Sequence, residues 1–180
     1  MGSELSSSPA REPVEVLDES GAVVGVVTRG QMRAANLPHR NVVVALRRSD
    51  GRWVVHRRAD WKDVNPGLWD VAFGGVPAPG ESDTDAAVRE LAEEAGVAVD
   101  ADRLVEVARL RHADDRTRWS GPVYVVVDDG PVVPADGEVA EVAEVAAGEL
   151  TAWAAGHPLC PDARTTVLPV LVALDGSGPP

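Results

Sequence analysis

The stretch from Gly75 to Val97, GVPAPGESDTDAAVRELAEEAGV, carries the pattern that decides the fold. Small and apolar residues recur on one arc of a 3.6-residue helix, namely Ala87, Val88, Leu91, Ala92 and Ala95. Ser82 or Asp83 can cap the start of that helix, and Gly96 stands where a left-handed C-terminal cap is favoured. The spacing therefore predicts an amphipathic helix between Ser82 and Gly96.

Three carboxylates, Glu90, Glu93 and Glu94, crowd the C-terminal half of this helix, where the macrodipole is already negative. Each anion there costs about 0.3 to 1 kcal/mol, and Glu90 repels Glu94 at i,i+4 by roughly 0.2 to 0.5 kcal/mol. A solvated acidic face is one explanation, although only Arg89 is nearby as a basic partner. Binding of Mg²⁺ is the other, because this ion prefers oxygen ligands and usually takes one or two carboxylates. Spacing alone leaves both open.

Composition limits the classes of protein to consider. The chain has 180 residues, 44% hydrophobic and 26% charged, which is typical of one globular domain. Its formal net charge of -12 argues against a binder of nucleic-acid duplexes, which needs a basic face. No disulfide framework forms from Cys160 alone, no apolar run reaches the length of a membrane span, and no secretory signal is visible. We expect a cytoplasmic protein with no membrane partner.

The order of the remaining elements predicts a layered domain. RNVVVALRRSDGRWVVHRR, residues 40–58, is the clearest hairpin, and LWDVAFGGV, residues 68–76, predicts one further strand. Strands and helices alternate irregularly along the chain, which is typical of an α/β or α+β fold. We expect a single domain over residues 13–174 between flexible tails at residues 1–12 and 175–180.

The full stretch identifies a family. Gly75, five residues, Glu81, seven residues and then RELAEEAGV match every fixed position of the Nudix box, which is Gly, x5, Glu, x7, Arg, Glu, apolar, x, Glu, Glu, x, Gly, apolar. Nine restricted positions at fixed spacing make a chance match improbable. The chain therefore resembles the Nudix superfamily, and the resemblance implies a mixed β-sheet sandwiched between helices, an α/β/α arrangement.

The resemblance also implies roles for the box residues. Glu90 and Glu94, with Glu93, are the expected ligands of Mg²⁺ or Mn²⁺, and Glu93, Glu81 and Arg89 form the expected catalytic set. Arg89 would orient a glutamate by an ion pair, and Glu81 would support the geometry of the loop and helix. Family substrates are small diphosphate compounds, which a bound metal would neutralise and position for attack by water. The general base varies within the superfamily, so Glu138 and Glu141 stay candidates for a base or further ligand, beside the box glutamates.

Upstream of the box, the chain is similar to the branch related to isopentenyl-diphosphate isomerase. Arg58 and Lys62 occupy the positions that hold the substrate diphosphate in that isomerase, and Trp61 is a candidate for substrate stacking because it shares a loop with Lys62. The isomerase needs a Cys and a metal-binding His in the strand entering its box, whereas WDVAFGGVPAPGES has neither. His39 matches an isomerase histidine, but a lone His at a strand start is more often a hydrogen-bonding residue than a ligand.

Three functional hypotheses follow. The first is a Mg²⁺-dependent Nudix hydrolase that cleaves a diphosphate linkage in a small nucleoside-diphosphate-like or other diphosphate compound. The second is an isopentenyl-diphosphate isomerase, against which the missing Cys and the complete box argue. The third is a non-catalytic sensor that binds a diphosphate or nucleotide. The sequence leaves the oligomeric state open, and a homodimer is one alternative because many relatives form one.

Overall fold

The computed structural model describes residues 9–135 and 137–176. Its strands are β1 (Pro13–Leu17), β2 (Val23–Thr28), β3 (His39–Arg40), β4 (Val42–Arg47), β5 (Trp53–Arg58), β6 (Trp69–Asp70), β7 (Phe73–Gly75), β8 (Val105–Ala113), β9 (Arg118–Val127) and β10 (Val139–Val145). Its α-helices are α1 (Arg29–Ala34), α2 (Asp83–Ala95), α3 (Leu150–Ala155) and α4 (Leu168–Asp175). Short 3-10 turns occur at Pro9–Arg11 and Ala101–Arg103, and a π-helical turn, Ala163–Val167, leads directly into α4.

The strands form one mixed sheet. Its order is β10-β5-β4-β9-β3-β1-β2, with β6 paired to β5, β7 to β4 and β8 to β9. β9 runs parallel to both β3 and β4, and the other pairs are antiparallel. The mixed sheet that the family resemblance implies is therefore present.

Helices cover the two faces of this sheet. In β4, Val42, Val44 and Leu46 point to the side on which α2 packs through Ala87 and Leu91. The intervening residues Val43 and Ala45 belong to a second core on the opposite side, whose helical residues come from α3, the π-helical turn and α4. Because strand side chains alternate between faces, the apolar run 42–46 of β4 contributes to both cores. The predicted α/β/α arrangement is confirmed.

Strands β4 and β5 pair with each other only beside the turn of their hairpin. Arg47 faces Trp53, and beyond this pair the strands separate, with β7 bonded to β4 and β6 bonded to β5. The prediction of one continuous strand over residues 68–76 is therefore wrong, since the chain changes partner at Val71 and Ala72. Asp70 makes this break possible, because its Oδ1 accepts hydrogen bonds from the N–H groups of Val71 and Ala72, at 2.8 and 3.4 Å.

The predicted tails fall partly within the described residues. Residues 1–8 and 177–180 lie outside them. Of the remainder, Glu12 forms an ion pair with Arg29 at 2.8 Å, and Asp175, the last residue of α4, accepts a hydrogen bond from Trp53 Nε1 at 2.8 Å. Among the helices that the structure describes, none is long and apolar enough to cross a membrane.

Candidate functional site

Helix α2 owes its ends to two local features. Ser82 caps its N-terminus by accepting a hydrogen bond from the Asp85 N–H at 3.1 Å. Gly96 ends it in the left-handed conformation at φ 68°, and a Cβ at this position would overlap the Val133 carbonyl oxygen. The two caps thus fix where the helix begins and ends on the sheet, and this position determines where its glutamates point.

Glu90 and Glu94 are buried, with only 9% and 6% of their surfaces exposed. The Glu94 Oε2 accepts a hydrogen bond from the Gly74 N–H of β7 at 3.0 Å. The Glu90 carboxylate lies against Gly75, where any Cβ would occupy the space of its oxygens. The first glycine of the box is therefore required because a buried carboxylate approaches the backbone there. For these two residues the solvated-face interpretation is wrong.

Arg89 binds three glutamates at once. Its Nε and Nη2 donate to the two oxygens of Glu81, both at 2.9 Å, and its Nη1 donates to Glu90 at 2.8 Å and to Glu93 at 3.1 Å. The bidentate pair with Glu81 joins the loop before α2 to the middle of the helix. Arg89 thereby orients Glu90 and keeps a positive charge beside an otherwise acidic group.

Burial dominates the electrostatics of the two inner glutamates. It raises the pKa of Glu94 to about 8, although the Gly74 N–H opposes the shift. It also raises the pKa of Glu90, against the opposing effect of Arg89. In contrast, hydrogen bonds from Arg89 lower the pKa of Glu81. Glu90 and Glu94 thus resist ionisation in the absence of a cation, whereas the neighbouring Glu81 stays ionised.

Two residues, Glu90 and Glu94, offer the carboxylate oxygens that a hard divalent cation prefers. Glu93 is half-exposed, with 54% of its side chain accessible, and is turned toward Arg89. Among the described residues, no group of three or more His, Cys, Asp or Glu side chains is arranged to hold a metal ion. Mg²⁺ usually binds one or two carboxylates and completes its shell with water and substrate phosphate, which the Glu90 and Glu94 pair satisfies. A metal role for Glu93 stays a prediction.

A cavity opens beside these carboxylates. Its wall includes Glu90, Glu94 and Gly75, and also the predicted diphosphate ligands Arg58 and Lys62. Arg58 donates to the Val64 carbonyl at 3.2 Å, and Lys62 bonds to Glu138, which lines the same cavity. A second cavity adjoins the first and is lined by Arg89, Glu93 and again Glu138. Carboxylates and basic groups thus face one space, as a metal-bound diphosphate requires.

Three predicted residues line neither cavity, namely Glu81, which is held by Arg89, and Glu141 and Trp61. Glu141 is exposed on β10 and pairs with Arg57 at 3.4 Å. Trp61 is 66% exposed, and its ring centre lies 5.8 Å from Lys62 Nζ. The structure therefore brings Glu138, and not Glu141, to the cleft, while substrate stacking on Trp61 stays a prediction.

Sequence reasoning missed several residues of the cavity wall, namely Arg29, His56, Asp70, Trp119 and Asp162. A basic residue directly after a helix cap was the available signal for Arg29. Asp70, next to Trp69 in a strand that leads to two glycines, was detectable as a polar residue in an apolar run. Nothing in the sequence connects Asp162 with this site.

His39 and Cys160 have structural roles in the described chain. His39 lines the cavity but is buried, with Nδ1 3.0 Å from the Leu37 carbonyl oxygen, and burial lowers its pKa. Cys160 is buried beside β6, where its N–H donates to the Trp69 carbonyl at 2.8 Å. Burial raises the pKa of the Cys160 thiol, so the thiol stays protonated and is a poor nucleophile.

Comparisons with known proteins agree with this geometry. The NUDIX domain family matches residues 37–162. An uncharacterized Nudix hydrolase from Streptomyces coelicolor is 42% identical over 135 residues, covering 74% of each chain. YfcD, an uncharacterized Nudix hydrolase from Escherichia coli K12, is 33% identical over 141 residues, covering 78% of this chain and 77% of its own.

Solved structures share the fold. DR0079 from Deinococcus radiodurans aligns with a TM-score of 0.68 at 23% identity, covering 89% of this chain and 97% of its own. The NUDIX domain of NrtR from Shewanella oneidensis, crystallised with ADP ribose, aligns with a TM-score of 0.59 at 18% identity, covering 80% and 96%. The family match over most of the chain and the relatives above 30% identity lead to one conclusion: this chain belongs to the Nudix family and is a Nudix hydrolase.

Proposed function

We propose that this chain is a Mg²⁺-dependent hydrolase that cleaves the diphosphate linkage of a small nucleoside-diphosphate-like or other diphosphate compound. The observation that carries the proposal is that Glu90 and Glu94 line the same cavity as Arg58 and Lys62. Carboxylates provide the oxygen ligands that Mg²⁺ prefers, and the basic side chains provide donors for phosphate oxygens.

Different residues of the site have different roles in the proposed reaction. Glu90 and Glu94 would hold the metal, which when bound neutralises phosphate charge and lowers the pKa of a water molecule. Arg89 holds Glu90 in place, and the Glu94 oxygen bonded to the Gly74 N–H fixes the second carboxylate against β7. Arg58 and Lys62 would bind the diphosphate and align it for in-line attack.

Proton removal from the attacking water falls to Glu138 or Glu93 in this proposal. Glu138 lines both cavities, and Glu93 lines the second of them. A base must lie within hydrogen-bond reach of the water, directly or through one further water molecule. Glu141 is a weaker candidate because it is exposed and paired with Arg57.

The isomerase and the sensor are not favoured. Cys160 is not among the described residues that line the cavity, and its thiol is buried behind the wall, where it is hydrogen-bonded to Asp70 and held protonated by burial. The full carboxylate set and the relatives named as hydrolases support turnover over binding alone. The cytoplasmic location stays a prediction, and the homodimer stays one alternative.

The proposal is tested by removing one metal ligand at a time. Glu90→Gln and Glu94→Gln should each lower phosphate or monophosphate release by at least about 100-fold, because each removes an anionic ligand while keeping the side-chain shape. Activity is measured with Mg²⁺ or Mn²⁺ on nucleoside diphosphate derivatives, dinucleoside polyphosphates, coenzyme A and isoprenoid diphosphates. Circular dichroism checks that both variants remain folded.

Glu149→Gln is the matched control, since Glu149 is exposed and lines neither cavity. It should retain wild-type turnover. Unchanged activity in both the Glu90 and Glu94 variants would refute the proposed function. Formation of dimethylallyl diphosphate from isopentenyl diphosphate would instead establish the isomerase.

A further inference from the structure

Two carboxyl groups in the cavity wall have no part in the proposed chemistry. Asp70, at the end of β6, and Asp162, just before the π-helical turn, line the cavity together with Arg58 and Glu94. They lie close enough for the charge of Asp162 to raise the pKa of Asp70, and Arg58 acts on both Asp70 and Glu94. One continuous space therefore joins the metal ligands, a basic group and this pair of carboxyls.

The protein uses only part of the hydrogen-bonding capacity of the pair. Asp70 Oδ1 accepts from two backbone N–H groups, the Asp70 carboxylate also accepts from the Cys160 thiol, and Asp162 Oδ2 accepts from Trp119 Nε1 at 3.1 Å. In the described part of the chain, neither carboxyl forms an ion pair with a basic side chain. Acceptor positions on the pair thus remain for a ligand.

His56 is an independent indication that a polar ligand binds here. It lies opposite Asp70 in the register of β5 and β6, it lines the same cavity, and only 2% of it is exposed. Within the described residues its Nδ1 is buried and has no hydrogen-bond partner. A buried polar atom without a partner costs about 1 to 3 kcal/mol, so a ligand that bonds there recovers that loss.

We propose that Asp70 and Asp162 form a subsite for the part of the substrate attached to the diphosphate, and that this part carries hydroxyl or amino groups that donate hydrogen bonds. The inference rests on the proposed function and specifies its substrate class. Polar compounds such as sugar and nucleoside diphosphates fit the subsite. A hydrocarbon chain, as in isoprenoid diphosphates, would cover these partly buried acceptors without pairing them, which discriminates against such a substrate.

The test compares matched substrates and variants in the full chain with Mg²⁺. ADP ribose, UDP-glucose and coenzyme A carry donors beyond the diphosphate, whereas isopentenyl and geranyl diphosphate carry none on their hydrocarbon part. The best donor-bearing compound should exceed both isoprenoid compounds in kcat/KM by about 100-fold or more. Asp162→Ala should lower this kcat/KM by about 10-fold to 100-fold, mainly through KM, and leave the isoprenoid values unchanged.

Asp162→Asn provides the conservative variant, because its amide oxygen still accepts a hydrogen bond, and it should recover part of the lost selectivity. Asp115→Ala is the control for a lost aspartate, since Asp115 is exposed and lies in neither cavity. Equal losses on both substrate groups, or no change in Asp162→Ala, would refute the subsite while the proposed function stands. If the wild type cleaves none of the compounds and none of the wider panel, the proposed function itself fails, and the subsite fails with it.

Discussion

Arg89 illustrates how one side chain organises a site. A single guanidinium contacts Glu81, Glu90 and Glu93. A lysine could not replace it, because its ammonium group lacks the planar fork that bonds both oxygens of Glu81. The spacing of the box, with glutamates before and after the arginine, is thus the spacing that one guanidinium can span.

Glu138 and Glu141 provide a matched pair for locating the base. Glu138→Gln should lower kcat by about 100-fold or more if it removes the proton, since general base catalysis contributes about 10² to 10⁴. Glu141→Gln should stay within about twofold of the wild type, because Glu141 lies on the exposed side of β10. Steady-state kinetics with any cleaved substrate checks both. If neither change lowers kcat by more than about twofold, Glu138 is not the base and Glu93 is the remaining candidate.

Asp70 should make stability depend on pH. Burial raises its pKa from 3.8 to about 7, so the folded protein retains a proton that the unfolded chain releases. The unfolded chain then binds fewer protons, and stability falls as the pH rises from about 4 to about 7 and is level above that range.

Asp70→Asn removes this titration and can keep the acceptor for the Val71 and Ala72 N–H groups. The wild type should lose about 2 to 3 kcal/mol of unfolding free energy through this titration between about pH 5 and about pH 8, and the variant should not. The unfolding free energy of the variant minus that of the wild type should therefore be about 2 to 3 kcal/mol larger at about pH 8 than at about pH 5. Urea denaturation at the two pH values measures the difference. A constant difference would show that the pKa of Asp70 is ordinary in the folded state.

Helix α2 is the element on which the proposed function depends. Its apolar side packs on β4, β7 and β9, while its acidic residues divide between buried Glu90 and Glu94 and exposed Glu93. The helix thus places two buried carboxyl groups near its C-terminal end, where burial and the macrodipole both disfavour their ionised form. A divalent cation would relieve this cost.

Metal ions should therefore stabilise the protein in the absence of substrate. At 100 times its dissociation constant, Mg²⁺ or Mn²⁺ should add about 2.7 kcal/mol, which for a chain of this size raises the melting temperature by roughly 5 to 10 °C. Glu90→Gln should weaken this response, and Glu93→Gln should retain most of it. Differential scanning calorimetry with and without metal tests the expectation, and a wild-type melting curve insensitive to metal would contradict it.

A buried polar contact attaches the last helix to the centre of the fold. Asp175, at the end of α4, accepts hydrogen bonds from Trp53 Nε1 at 2.8 Å and Arg47 Nη2 at 3.3 Å. Only 6% of the Arg47 side chain and 7% of the Asp175 side chain are exposed. The last helix is thus attached to the turn end of the β4 and β5 hairpin, on the side of the sheet opposite α2.

Asp175→Ala should destabilise the protein by about 3 kcal/mol, because it leaves a buried guanidinium without its anion. Asp60→Ala is the control, since Asp60 pairs with Arg57 at the surface and should change stability by less than about 1 kcal/mol. Urea denaturation of both variants compares them. Equal small effects would indicate that the chain from Asp175 onward behaves as the flexible tail expected from the sequence.

Features that depend on local spacing could be predicted from the order of the amino acids. The box, the caps at Ser82 and Gly96 and the apolar strands all follow from periodicity and turn chemistry within a few residues. The family and the α/β/α class could be predicted because nine box positions stand at fixed separations.

Contacts between residues far apart in the chain could not be predicted in this way, because they depend on how the sheet and helices pack. The open hairpin, with β6 and β7 bonded to its two separated strands, depends on pairings that no local pattern encodes. The same holds for the inward direction of Glu94, for Glu138 rather than Glu141 in the cleft, and for Asp162 beside Asp70. Sheet order and packing set these contacts, because they join residues that are far apart in the chain and become neighbours only when both cores close.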